Sequence, residues 1–178
     1  MYDTDAKLPE VFLMPGEVHL ARSPAILKTL LGSCVGVTFW DARLGIGALC
    51  HGVLPRCPPQ VQGAEAYRYV DFVIHDLAEQ FQALGAVRSH VQVKVFGGAD
   101  VLPVLARTSP ESTVGYHNWT TALKVLSAEN LTVVASDLGG QVGRTIHFHT
   151  GTGEVLLRRH SQLSLAEEER LHPGERGL

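Results

Sequence analysis

Cys34 stands directly after Gly32-Ser33 and opens the run Val35-Gly36-Val37-Thr38-Phe39-Trp40. A cysteine on a tight turn at a strand start has two assets for nucleophilic chemistry. Glycine permits close approach of other backbone, and the N–H groups of Ser33 and its neighbours can face a developing oxyanion. Taken alone, a free cysteine is more often a small core residue, because a reactive thiol needs a base beside it. The candidate base is His51, in the apolar segment Ala48-Leu49-Cys50-His51-Gly52-Val53-Leu54. A neutral imidazole there could take the proton of Cys34 and later give one to a leaving amine. A hydroxyl or amide is then needed to orient the ring. Thr29, upstream in the strand leading to Cys34, is one such hydroxyl, although most strand threonines are only good strand formers. Thiol reactivity below the ordinary value of about 8.5 that depends on His51 would mark a real Cys–His pair, and an inert Cys34 would mark core filler.

Two other patterns compete. His147-Phe148-His149 places two imidazoles on one strand face, with Glu154 five residues on. That is the beginning of a metal set such as a cupin-like enzyme uses, but it supplies too few donors by itself. Cys50 precedes His51 and should point to the opposite strand face. Cys57 lies among prolines in a loop. The pairs Gly97-Gly98 and Gly139-Gly140 mark tight turns, and neither has the spacing of a phosphate loop.

These residues need a frame of strands. Ile26 to Leu31, Val35 to Trp40 and Ile46 to Leu54 read as strands, with Asp41-Ala42-Arg43-Leu44-Gly45 turning the second into the third. That turn would lay the His51 strand beside Cys34. Val70, Val73, Ile74, Leu77, Phe81 and Leu84 recur at helical spacing and end at Gly85. Val91 to Phe96 alternates as a strand, a second helix is expected from about Asn118, and Leu131 to Ala135 is a strand turned by Asp137-Leu138-Gly139-Gly140. Arg144 to His149 and Glu154 to Arg159 flank Thr150-Gly151-Thr152-Gly153 as a hairpin. Ser164 with Glu167 forms a capping box for a short polar helix. Strands cluster toward both ends of the chain, which favours an α+β (mixed α/β) fold, a β-sheet core with flanking helices.

Composition narrows the functional classes. The chain has 178 residues, 45% of them hydrophobic, a mean hydropathy of +0.08 and a net charge of -3. It is expected to fold as a single domain over 1–178, with about 161–178 a polar tail. The lack of basic excess argues against nucleic acid, and the short apolar runs argue against membrane insertion. Three cysteines and a polar N-terminus suit a reducing cytoplasm.

The ordered set Leu31-Gly32-Ser33-Cys34-Val35-Gly36-Val37, His51 with Leu54-Pro55, Tyr67-Arg68-Tyr69-Val70-Asp71, Lys94-Val95-Phe96-Gly97-Gly98-Ala99, Val114-Gly115 with Asn118, and Asp137-Leu138-Gly139-Gly140 with Gly143-Arg144 resembles the CheD family of chemoreceptor glutamine deamidases. The resemblance implies the cysteine-hydrolase fold of the cytotoxic necrotizing factor catalytic domain. It implies a protein-glutamine glutaminase that hydrolyses receptor side-chain amides to glutamates through a cysteine thioester. Its Cys, His and Thr carry over to Cys34, His51 and Thr29, with Gly32 and Ser33 near the oxyanion. No metal or organic cofactor is implied. The implied partners are chemoreceptor helices as substrate and a CheC-type phosphatase. A role mainly as a regulatory module docking on that phosphatase is the alternative within the resemblance.

Overall fold

The computed structural model describes residues 7–101 and 109–160. Nine strands and two α-helices form three layers among them. One sheet has the order β1-β3-β8-β9, made of β1 Glu10–Phe12, β3 Ile26–Leu31, β8 Arg144–His149 and β9 Glu154–Arg159. The other has the order β2-β5-β4-β6-β7, made of β2 Val18–Ala21, β5 Ile46–Gly52, β4 Val35–Asp41, β6 Gln92–Gly97 and β7 Thr132–Leu138. The helices α1 Val70–Ala83 and α2 Val114–Ala128 cover the outer face of the five-stranded sheet. Antiparallel and parallel pairings coexist, so the class is α+β, as expected. No helix among the described residues is long and apolar enough to cross a membrane.

Side-chain alternation assigns each strand residue to one of two cores. Val35, Val37 and Phe39 of β4 and Ile46, Ala48 and Cys50 of β5 face the helices. There Phe39 meets Phe81 of α1 with ring centroids 5.5 Å apart. Leu27 and Leu31 of β3, Leu49 of β5, Phe96 of β6 and Ile146 and Phe148 of β8 fill the space between the sheets. Each fully buried Leu or Phe contributes about 2 kcal/mol through lost apolar exposure. β5 is covered on both faces, so every one of its residues is buried and its sequence lacks polar alternation.

The β3, β4 and α1 segments, the β4–β5 turn and the β8–β9 hairpin lie where the sequence places them. Elsewhere the boundaries move. α2 begins at Val114, a turn before Asn118, because the Thr113 hydroxyl caps it by accepting from the Tyr116 N–H at 3.2 Å. β5 ends at Gly52, and Leu54 makes only an isolated bridge to Tyr69. β7 runs through Asp137 and Leu138, leaving Gly139-Gly140 to turn the chain. β1 and β2 are additional short strands. The capping box at Ser164 and Glu167 and the tail from 161 lie outside the described residues.

Candidate active site

β3 and β5 belong to different sheets, yet Thr29 and His51 meet between them. Thr29 shares its strand face with Leu27 and Leu31, and His51 shares its face with Leu49, so both point into the inter-sheet layer. The Thr29 Oγ1 lies 2.7 Å from His51 Nδ1 and 2.8 Å from the Leu13 carbonyl oxygen. A hydroxyl has one proton, and a carbonyl can only accept. Thr29 therefore donates to Leu13 and accepts from His51 Nδ1–H. This assigns the proton to Nδ1 and leaves Nε2 as the bare nitrogen. Nε2 is buried and has no hydrogen-bond partner among the described residues.

Cys34 is brought to the same layer from the adjacent strand. β4 and β5 pair antiparallel, with Gly36 opposite His51 and Val35 opposite Gly52. Cys34, one residue before β4, packs against the inter-sheet cluster. It is thus the diagonal neighbour of His51 on a shared face, an arrangement in which side chains can reach one another. Cys34 is half-buried and His51 only 2% exposed. The thiol is thus the more exposed of the two groups and the imidazole the more buried.

The turn before Cys34 is held carbonyl by carbonyl. The Gly32 oxygen accepts from Ala99 N–H at 2.9 Å, Ser33 from Asn118 Nδ2 at 2.9 Å, and Cys34 from Gly98 N–H at 2.8 Å. Gly97 has φ 103, and a Cβ there would overlap the Cys34 carbonyl oxygen, so glycine is required. Arg144, 2% exposed, braces this bend from below. Its guanidinium donates to the carbonyls of Gly97 at 3.1 Å and Gly139 at 2.6 Å, and to that of Asp137. It also pairs with the Asp137 carboxylate at 3.0 Å. The two glycine pairs read from the sequence as turns thus converge behind the candidate nucleophile.

The electrostatics set the resting protonation. Burial pulls His51 down to about 4, against smaller upward effects of the Leu13 carbonyl and Glu17. Burial pushes the Cys34 thiol up, opposed by the positive charge of Arg68. At neutral pH the pair rests as thiol and neutral imidazole. Desolvation outweighs Arg68, so the pair is not held as thiolate and imidazolium. His51 also links folding to pH. Between the unfolded value of 6.5 and the folded value of about 4, the unfolded chain binds the additional proton. Acidification through that window is expected to remove about 3 kcal/mol of stability, and His51→Gln should lose less over it. Urea titrations of both proteins from pH 7 to 4 check this. Equal losses would contradict the buried neutral assignment.

Other sequence candidates fall elsewhere. Cys50 faces α1 and is pushed up to about 12 by burial. Cys57 stays in its loop, its N–H bonded to Asp71 Oδ1 at 2.8 Å. His147 and His149 alternate with buried Ile146 and Phe148, so they face away from the inter-sheet core. Glu154 stands opposite His149 in the β8–β9 register. Among the described residues no cluster of three His, Cys, Asp or Glu is arranged to hold a metal, which removes the support for the cupin-like reading. Arg68 and Asn118 enter the site without having been singled out for a role. Arg68 arrives because its carbonyl accepts from Val53 N–H and Leu54 N–H at 2.7 and 3.1 Å, just beyond β5. Their only sequence signal is membership of the motifs quoted above.

Known proteins are similar to this chain over most of its length. A protein of Geobacter sulfurreducens named "Probable chemoreceptor glutamine deamidase CheD 2" is 44% identical over 153 residues, covering 86% of this chain and 91% of that protein. A "Probable chemoreceptor glutamine deamidase CheD" from Trichlorobacter lovleyi is 40% identical over 151 residues, covering 85% and 91%. One of the same name from Pseudomonas fluorescens is 38% identical over 160 residues, covering 90% and 89%. With the family model for CheD chemotactic sensory transduction matching residues 53–159, more than half of the sequence, the chain belongs to the CheD family.

Proposed function

We propose that this protein is a cytoplasmic protein-glutamine deamidase acting on glutamines of chemoreceptors, with Cys34, His51 and Thr29 as its reacting set. The observation that carries the reading is the Thr29–His51 hydrogen bond, which leaves Nε2 unprotonated on the face that Cys34 shares. Family membership supplies the substrate class through the names of the relatives.

In the first half-reaction His51 Nε2 takes the Cys34 proton as Sγ attacks the carboxamide carbon. Because the resting pair is neutral, proton transfer accompanies attack. The Ser33 and Cys34 N–H groups receive the oxyanion. Nε2–H then protonates the amide nitrogen, the C–N bond breaks and ammonia leaves a thioester. In the second half-reaction Nε2 takes a proton from water, hydroxide attacks the thioester, and the C–S bond breaks as Nε2–H returns that proton to Sγ. The net products are glutamate and ammonium, with the thiol restored. Thr29 keeps the ring in one tautomer through both halves. On this reading a CheC-type phosphatase is a second partner, and binding that survives in an inactive Cys34 variant would show that docking and catalysis are separate roles.

The test uses the intact protein with a chemoreceptor cytoplasmic fragment. Mass spectrometry should find glutamine converted to glutamate in step with ammonia release. Both should stop once iodoacetamide has capped Cys34, as located by peptide mapping. Conversion that persists after complete capping of Cys34 would contradict the assignment.

A further inference from the structure

Asn118 is fully buried, and both hydrogens of its amide are committed. Nδ2 donates to the Ser33 and Val53 carbonyls, each at 2.9 Å. Those two carbonyls lie at the strand ends that matter. Ser33 immediately precedes Cys34. Val53 lies two residues past His51, and continuation of the β4–β5 register puts it opposite Cys34. One side chain of α2 therefore clamps the end of the strand bearing the nucleophile to the end of the strand bearing the base.

The helix reaches this close because of its second residue. Gly115 packs on the Gly98–Ala99 backbone, where a Cβ would lie 2.5 Å from the Gly98 oxygen and 2.6 Å from the Ala99 oxygen. A larger residue would lift the first turn of α2 and carry Asn118 off its carbonyls. The contact is thus built from two strand ends, a bare helix turn and one amide.

A trans peptide is planar, with its C=O and N–H pointing in opposite directions. Fixing the Ser33 carbonyl on Asn118 therefore fixes the Cys34 N–H, which points away from α2. Cys34's side chain packs on the side away from the helices, against the inter-sheet cluster. We infer that Asn118 is a positioning residue that aims the Cys34 N–H at the oxyanion of the tetrahedral intermediate. The inference rests on the deamidase reading and assigns a residue that the Cys, His and Thr set does not include.

Deamidation needs the oxyanion site, whereas alkylation by iodoacetamide displaces iodide at a saturated carbon and builds no oxyanion. The two rates should separate. Asn118→Ala is expected to lower kcat about 100-fold, with KM and the Cys34 alkylation rate changed by no more than about threefold. Should that variant not fold, Asn118→Ser, whose hydroxyl can serve one carbonyl, is expected to show a kcat loss of about 10-fold with the same separation. Near-ultraviolet circular dichroism reports folding. Unchanged kcat in a folded variant, a parallel fall of kcat and alkylation, or failure of both variants to fold would each overturn the inference. Wild-type protein that releases no ammonia from receptor glutamines would overturn the deamidase reading together with it, and is seen before any variant is compared.

Discussion

His51→Gln is expected to lower kcat for deamidation by about 1,000- to 10,000-fold at neutral pH while leaving KM within about twofold. Glutamine has similar reach, and its amide can still donate to Thr29 Oγ1. It offers no nitrogen that accepts a proton at neutral pH. The loss should therefore fall on chemistry and spare docking. The wild-type pH profile carries the complementary signature. His51 stays neutral down to about 4, so activity should persist through mildly acid pH and fall as that value is approached. The thiol is pushed up by burial, so iodoacetamide capping of Cys34 should accelerate steadily toward alkaline pH, without a plateau on the acid side. A stored thiolate–imidazolium pair would give the opposite, a capping rate already flat at pH 6. Wild-type kcat in the Gln variant would remove His51 from the reacting set.

The local half of this site was readable because it depends on hairpin geometry. The Asp41–Gly45 turn forces β5 back along β4, and period-two alternation then decides which of Cys50 and His51 faces Cys34's layer. α1 was readable from its apolar stripe, and the β8–β9 hairpin from its glycine-containing turn. β1 and β2 were not, since strands of three and four residues give too little alternation to recognise. The start of α2 was missed because its first turn exposes Val114 and buries Gly115, which reverses the expected apolar signal. The neutral imidazole expected beside Cys34 agrees with the burial of His51, but its degree could not be read locally. Sequence names the two titrating groups, but burial between two sheets sets their proton affinities, and burial is a property of the whole fold. Asn118 and Arg144 are separated from Cys34 by 84 and 110 positions. Their grip on its turn exists only after both sheets and α2 have closed.

The bend behind Cys34 offers a test of that closure. Gly97→Ala is expected to destabilise the protein by about 4 kcal/mol and to cut kcat at least about 100-fold in whatever fraction folds. Two costs add. An alanine held at φ 103 is in a region that side-chain-bearing residues rarely adopt, and its Cβ would overlap the Cys34 carbonyl oxygen. The neighbour cannot yield cheaply, because that oxygen is backbone. It is held by Gly98 N–H at 2.8 Å, and Arg144 fixes the Gly97 carbonyl from the other side. Relief must come from turning the Cys34 peptide or breaking the Gly98 bond, and either moves the thiol on the face it shares with His51. The same substitution at Gly45 is the control, since its φ of 64 carries a similar backbone cost with nothing within 4 Å of the new methyl group. Gly45→Ala should cost only about 1 to 2 kcal/mol and leave kcat unchanged. Urea unfolding and ammonia release measured on both variants separate the two effects. If Gly97→Ala proved as mild as Gly45→Ala, the close approach of β6 to the Cys34 carbonyl would not be what holds the nucleophile in place.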